Sequence, residues 1–373
     1  MSDTDDNDFT ERTMLARTVI VAAPSVRVGH YLSYTLDGKS HRVRIDADPV
    51  TIGRGASCDI VFAVAEVSRQ HCRIRLEGDG VAVQDLGSTN GTFIGGHRIE
   101  QTARIGNGSH IAIGPFQIRY EQRDEREVQE EARLTDELRQ AVEYVRAILP
   151  EPLTAGPVQA EWWYVPSSEL GGDAFGYQFL DDTTLAGFLI DVSGHGIGAG
   201  MHAVNVANVL RRRALPGVDY RDPGQVAAGL NAMFPMEDHG SLIFSLWYFV
   251  YDVTSRTLRF CAAGHHPSYL VTPAGADPEP VWLRSPSIGM LPPRSWPSGE
   301  VTVPPGSRLY IFSDGVFEIE QPDGAQWQLD DLRSIIAAGS GESETQRVYQ
   351  AVRAAAQPGP LADDFSLLLL HFS

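Results

Sequence analysis

Cysteine is scarce and unpaired: Cys58, Cys72 and Cys261 stand far apart, with no CxxC spacing. That excludes a disulfide framework and gives no sign of a cysteine-based zinc site. No apolar run approaches the roughly 20 residues a helix needs to cross a bilayer. The opening stretch MSDTDDNDFTERT is acidic and polar, the reverse of a secretory leader. These absences together predict a cytoplasmic protein with no membrane partner. Basic residues are the minority, 30 Lys and Arg against 48 Asp and Glu, for a net charge of −18. The excess lies in 121–149 (5 basic, 9 acidic) and 150–373 (12 basic, 25 acidic), while 28–120 is near neutral (10 basic, 9 acidic). Such a balance argues against nucleic acid or an anionic membrane surface as a partner. Internal repeats are absent, as is a Gly-rich phosphate loop of the usual spacing, which disfavours an enzyme of nucleotides or small phosphate esters.

What is present divides into segments, and 373 residues are enough for two or three domains. Residues 1–27 read as a disordered acidic tail. Its Thr4, Thr10 and Thr13, if phosphorylated, would offer ligands to a phosphothreonine reader in cis or in trans. From 28 to 120 the pattern is all-β: short alternating strands at His41–Ile45, Cys72–Leu76, Val81–Asp85, Ser109–Ile113 and Gln117–Tyr120, separated by Gly, Asn and Asp turns. Three blocks sit within it, TIGRGASCDI, VSRQHCRI and DLGSTNGTFIGGHRI. In this order and spacing they resemble the forkhead-associated (FHA) domain, a β-sandwich that binds phosphothreonine peptides. The chemistry agrees. Arg54, in a Gly-flanked loop, offers a guanidinium fork for a phosphate. Ser68 and Thr89 offer hydroxyl donors, Asn90 before Gly91 a grip on peptide backbone, and Arg69 further positive charge. By the resemblance His71 holds the Ser68 loop rather than the ligand.

Residues 121–149 are charged, Gly-free and rich in helix formers. Leu138, Val142, Val145 and Leu149 step 4-3-4 along one face, predicting a linker helix. The stripe suits a parallel two-helix coiled coil, hence a homodimer, or equally packing on the following domain. Pro150 and Pro152 end it.

From 150 to 373 strand-like runs (Val158–Val165, Leu185–Asp191, Ile243–Asp252, Thr257–Ala262, Ser268–Val271, Arg308–Phe312, Ser366–Phe372) mix with helical stretches (Met201–Leu215, Pro223–Met233, Asp330–Ala338, Ser343–Ala356). Four places set an acid at a strand edge: GGDAFGY (Asp173), LIDVSGHG (Asp191), LYIFSDGV (Asp314) and LADDFSLLLL (Asp363, Asp364). Taken alone, 169–200 also reads as a solvated loop with two acids. An unpaired carboxylate at the end of a buried strand is costly, and a bound cation removes that cost. Oxygen donors without paired His or Cys point to Mg²⁺ or Mn²⁺.

These blocks, with AAGHHPSYL and the entry AILPEPL, resemble the metal-dependent PPM-type serine/threonine phosphatases. Within them the likeness is to the bacterial branch of the stage II sporulation phosphatase and the stress-response regulatory phosphatases. The resemblance implies a multidomain chain: an all-β FHA sandwich, a linker helix, and an α/β phosphatase domain built as a β-sandwich flanked by helices. It implies two metal ions, Mn²⁺ or Mg²⁺. Asp191 would bridge them, the Val192 carbonyl would contribute, Asp173 and Asp314 would hold one side, and Asp363 the other. These four aspartates would be the catalytic set, with Asp364 behind them. No general acid is secure: His195 in SGHG is either that acid or a turn-shaping residue, and His265 and His266 lie where the family has structural residues. The expected function is hydrolysis of phosphoserine or phosphothreonine on a regulatory protein, such as an anti-sigma-factor antagonist. The FHA domain would bind a phosphothreonine protein such as a Ser/Thr kinase. The alternative is a phosphothreonine-binding signalling adaptor whose phosphatase-like domain is silent or latent.

Overall fold

The computed structural model describes residues 27–36, 38–78, 80–275, 277–339 and 343–373. Thr4, Thr10 and Thr13 lie outside the described residues. The chain divides after Thr135 into two compact units.

In the first unit the strands are β1 (Val28–Leu36), β2 (Lys39–Ile45), β3 (Val50–Gly53), β4 (Ile60–Val61), β5 (Cys72–Glu77), β6 (Gly80–Asp85), β7 (Thr92–Ile94), β8 (His97–Arg98), β9 (Thr102–Ile105), β10 (His110–Ile113) and β11 (Phe116–Asp124). They form two sheets, β2-β1-β11-β10-β7-β8 and β4-β3-β5-β6-β9. Alternating apolar residues of both sheets, among them Leu32, Ile52, Ile74, Val83, Ile111 and Ile118, meet in a fully buried core. This is the sandwich that strict period-2 patterning builds.

The helix expected over 121–149 is shorter. Residues 121–124 extend β11 and pair with β1, through Asp124 opposite Val28. The turn then comes at Asp124, whose carboxylate accepts the Arg126 amide at 2.9 Å, and α1 runs Glu125–Ala147. None of its residues is buried.

The second unit holds β12 (Val158–Val165), β13 (Asp173–Phe179), β14 (Thr184–Val192), α2 (Ile197–Arg211), α3 (Pro223–Met233), β15 (Phe244–Asp252), β16 (Thr257–Ala263), β17 (Ser268–Val271), β18 (Glu279–Val281), β19 (Gly299–Thr302), β20 (Arg308–Phe312), α4 (Leu329–Ala337), α5 (Glu344–Ala355) and β21 (Phe365–Phe372). Two antiparallel sheets, β12-β21-β20-β17-β18 and β13-β14-β15-β16-β19, pack face to face over Leu189, Trp247, Phe249, Leu309 and Leu368. Helices α2 and α3 cover the outer face of the second sheet over Ile190, Val206, Val226 and Leu246, and α4 and α5 cover the first over Tyr310, Phe312, Leu332 and Val348. The unit is therefore a β-sandwich flanked by helices. Because each sheet is buried on both faces, β14, β15 and β21 read as continuous apolar runs rather than alternating ones.

Helix α2 begins four residues before the expected Met201. The Gly-rich turn ends at Gly196, whose φ of 85° no L-residue adopts readily, and Gly198 and Gly200 belong to the first helical turn. Gly200 is required there for space, since a Cβ would stand 2.9 Å from the Leu170 Cβ.

Candidate functional site

Strand register builds the first part of the site. Asp173 opens β13 and lies directly opposite Asp191 near the end of β14, so the two acids share one face. Asp314 starts a 3-10 turn directly after β20, and Asp363 precedes β21. Asp191, Val192, Asp314 and Asp363 line a single pocket of about 220 Å³ together with Ser193, Ser245 and Ser287. Asp173 does not line it. It is buried opposite Asp191, 4% exposed, with Oδ2 buried and without a hydrogen-bond partner.

Glycines let backbone close round this face. A Cβ on Gly172 would stand 2.9 Å from the Val192 carbonyl oxygen, and one on Gly315 would stand 2.3 Å from the Asp364 carbonyl oxygen. Asp364 is fully engaged beneath: Oδ1 accepts from the Ser167 amide (2.7 Å) and hydroxyl (2.9 Å), and Oδ2 accepts from the Gly172 amide at 2.6 Å. Its carbonyl accepts from the Ser313 hydroxyl at 2.9 Å, and its amide donates to Asp363 Oδ1 at 2.8 Å. Asp364 thus ties the loops that carry Asp173, Asp314 and Asp363.

The electrostatics are those of crowded acids. Burial, with the charges of Asp314 and Asp363 added, pushes the Asp191 carboxyl up to about 7. Burial, then Asp363 and Glu318, pushes Asp314 up to about 6. Burial also raises Asp363, and burial with the charge of Asp191 raises Asp173 well above the carboxylate range. Glu318, four residues after Asp314, escaped the sequence reading. Its signal was that i,i+4 spacing in DGVFE.

The donor set fits a hard divalent cation: several carboxylates turned on one pocket, a backbone carbonyl beside them, and an orphaned acid oxygen on the residue opposite Asp191. Among the described residues no group of three or more His, Cys, Asp or Glu side chains is drawn tightly enough to hold a metal ion as it stands. Carboxylates with no cation between them repel, so the fit lies in the donors and not in a closed coordination shell.

The histidines separate. His195, exposed between Gly194 and Gly196, is close enough to Asp363 to act on its charge, and the described structure gives it no hydrogen bond. His265 and His266 lie outside the pocket. Nδ1 of His265 donates to the His266 carbonyl at 2.9 Å, and the His266 ring stacks on Phe312 with centroids 4.7 Å apart. Burial pushes His265 down to about 4.

A second constellation lies in the first unit. The Arg54 amide donates to the Ser68 carbonyl (2.9 Å) and the Gly55 amide to the Arg69 carbonyl (3.0 Å), zipping two loops together. Gly53 permits this, because a Cβ there would stand 2.4 Å from the Arg69 carbonyl oxygen. Buried His71 accepts the Ser68 amide on Nδ1 and donates from Nε2 to the Gly91 carbonyl, both at 3.1 Å, which fixes the proton on Nε2. The Thr89 amide donates to Ser68 Oγ at 3.1 Å. Asn90 Nδ2 donates to the Glu66 carbonyl at 2.8 Å. Asp85, which the sequence reading passed over, accepts from the Ser88 and Thr92 hydroxyls and from the Gly87 and Ser88 amides. Its burial works against ionisation, but these bonds outweigh it and hold the carboxyl below its ordinary value. Arg54, Arg69, Thr89 and Asn90 are exposed on this scaffold at one end of the sandwich.

Comparison with known proteins follows the same division. Residues 50–114 match the FHA domain, and residues 181–373 match Stage II sporulation protein E (SpoIIE). The phosphoserine phosphatase RsbP of Bacillus subtilis is 25% identical over 171 residues, 46% of this chain and 42% of that one. The glycogen accumulation regulator GarA of Mycolicibacterium smegmatis is 35% identical over 77 residues, 21% of this chain and 48% of that one. This chain thus spans less than half the length of either relative. The solved SiaA-PP2C domain of Pseudomonas aeruginosa, 17% identical, has the same fold at a TM-score of 0.56 over 65% of this chain and 99% of that one. With more than half of its length matched, the chain belongs to the SpoIIE family, and it carries an FHA domain ahead of its PP2C-type domain.

Proposed function

We propose that this protein is a metal-dependent phosphoserine/phosphothreonine protein phosphatase with a phosphothreonine reader over 28–120, a linker over 121–149 that contains α1, and the catalytic domain over 150–373. The observation that carries the reading is the single pocket onto which Asp191, Asp314 and Asp363 turn, with the orphaned oxygen of Asp173 on the residue opposite Asp191. Asp191 would be shared by two Mn²⁺ or Mg²⁺ ions, and Asp173, Asp314, Asp363 and the Val192 carbonyl would supply the remaining protein donors. Such ions, when bound, supply an activated water and neutralise phosphoryl oxygens. Asp364 keeps the ligand loops in register. The name of RsbP supports phosphoserine as the group hydrolysed, and the tethered reader supports a protein that carries it, a phosphorylated regulator such as an anti-sigma-factor antagonist. The reader recruits a phosphothreonine protein such as a Ser/Thr kinase through Arg54, with Ser68, Arg69, Thr89 and Asn90 around the ligand. Leu149 packs on the core of the second unit, while Leu138, Val142 and Val145, half-buried on α1, are the part of the stripe that could join two copies of the chain.

The test is hydrolysis of p-nitrophenyl phosphate and of a phosphopeptide with Mn²⁺ or with EDTA, by wild type and Asp191→Asn. Turnover that needs the ion and falls at least about 100-fold in the variant is the expected outcome, since a ligand shared by two ions contributes several kcal/mol to the transition state. The second reading is an adaptor with a latent phosphatase domain. No turnover in either protein, with intact phosphothreonine-peptide binding, would select it.

A further inference from the structure

A phosphate monoester carries charge of the same sign as the pocket that is to receive it. No Lys or Arg side chain lines that pocket; its remaining polar groups are the hydroxyls of Ser193, Ser245 and Ser287. Two of these belong to the row that contains the acids. Ser245 on β15 is directly opposite Asp191 on β14, and therefore on the same face. Phe244 and Ile288 form an antiparallel bridge with amide–carbonyl distances of 3.2 and 2.9 Å, and one step along that register sets Ser287 opposite Ser245. The sheet thus presents Asp173, Asp191, Ser245 and Ser287 in sequence across its edge.

Ser287 has space made for it. Gly264 has φ 65°, and a Cβ there would stand 2.1 Å from Ser287 Oγ. Ser193 is different: its hydroxyl accepts the Ile243 amide at 3.2 Å and holds its own loop. Among the described residues the hydroxyls of Ser245 and Ser287 have no hydrogen-bond partner, so both are free to donate.

We propose that Ser245 and Ser287 donate hydrogen bonds to the phosphoryl oxygens of the substrate and so position the group over the carboxylates. This rests on the phosphatase reading above. A neutral donor suits the place: it grips an anion without competing for the carboxylates, as an arginine there would. No covalent bond to either serine forms.

The test uses the full chain with Mn²⁺, its affinity for inorganic phosphate measured by calorimetry and its kinetics with p-nitrophenyl phosphate. Ser245→Ala and Ser287→Ala are each expected to weaken phosphate binding and raise KM about five- to tenfold, the worth of one such bond. The Mn²⁺ concentration that half-saturates the thermal shift stays unchanged, and Ser245→Thr restores phosphate affinity to within about twofold. Unchanged phosphate affinity in both alanine variants overturns the assignment, even where the wild type turns over and the phosphatase reading stands. A Mn²⁺ requirement that rises in step with KM overturns it too, as does a wild type that binds no phosphate. Serine-dependent phosphate binding without turnover would sustain it and remove the phosphatase reading instead.

Discussion

At Asp191 the sign of the stability contribution is set by the direction of its pKa. An ordinary carboxyl titrates near 4, whereas Asp191 in the fold, buried and beside Asp314 and Asp363, titrates near 7. A group whose folded value lies above its unfolded value favours the fold below the unfolded value and loses that contribution as pH rises through the folded one. In EDTA the second unit is therefore expected to lose several degrees of melting temperature between pH 5 and pH 8. Asp314, raised to about 6, adds to the lower part of that window. Asp191→Asn removes both the titration and the repulsion, so its metal-free melting temperature should exceed that of wild type at pH 8 and vary less with pH. Saturating Mn²⁺ should raise wild type far more than the variant. A metal-free wild type that melts at the same temperature at pH 5 and pH 8 would show that these acids do not crowd one another in solution.

Among the elements, α3 was readable to the residue because its start carries local chemistry. Pro223 stands at its first position, and Asp222 before it accepts the Gly224 amide at 3.0 Å and the Gln225 amide at 3.2 Å. Asp222→Ala should cost about 1 kcal/mol, seen as a fall of about 2–4 °C in the melting of the second unit with activity retained. A fall of less than 1 °C would mean that Ser298, which also accepts the Gly224 amide at 2.9 Å, suffices alone. Strand β13 shows the opposite case. GGDAFGY carries too few apolar residues to announce a strand, and its Gly176 is there for a neighbour, because a Cβ would stand 2.9 Å from the Phe188 ring. Asp173 was legible as a candidate ligand from its motif, but its place opposite Asp191 depends on pairing with β14, which has no local signature. Ser245 and Ser287 were invisible for the same reason. Each is an ordinary serine in its own segment, and only register sets them beside Asp191. Arg54, Ser68 and Asn90 stood out as candidates because each sits in a block that resembles the FHA domain, whereas the place of Asp85 shows only where four donors converge on its carboxylate.

For the whole molecule, each unit closes its own core. The cluster around Leu32, Ile52 and Ile118 draws on residues of the first unit, and the three clusters around the two sheets of the second draw on residues of the second. Neither core needs residues of the other to exclude water, which predicts two calorimetric transitions rather than one. Ligands should then act separately. A phosphothreonine peptide at 100 times its Kd stabilises the unit that binds it by about 2.7 kcal/mol, and Mn²⁺ acts likewise on the other. The expected thermogram has one transition moved by the peptide and abolished in its response by Arg54→Ala. The other is moved by Mn²⁺ and blunted in Asp191→Asn. If the peptide instead shifts both transitions, and Arg54→Ala removes both shifts, occupancy of the reader is coupled to the phosphatase unit, and the reader regulates rather than only recruits. The same thermogram therefore distinguishes a tether from a switch, which the pairing of an FHA domain with a SpoIIE-type domain leaves open by itself.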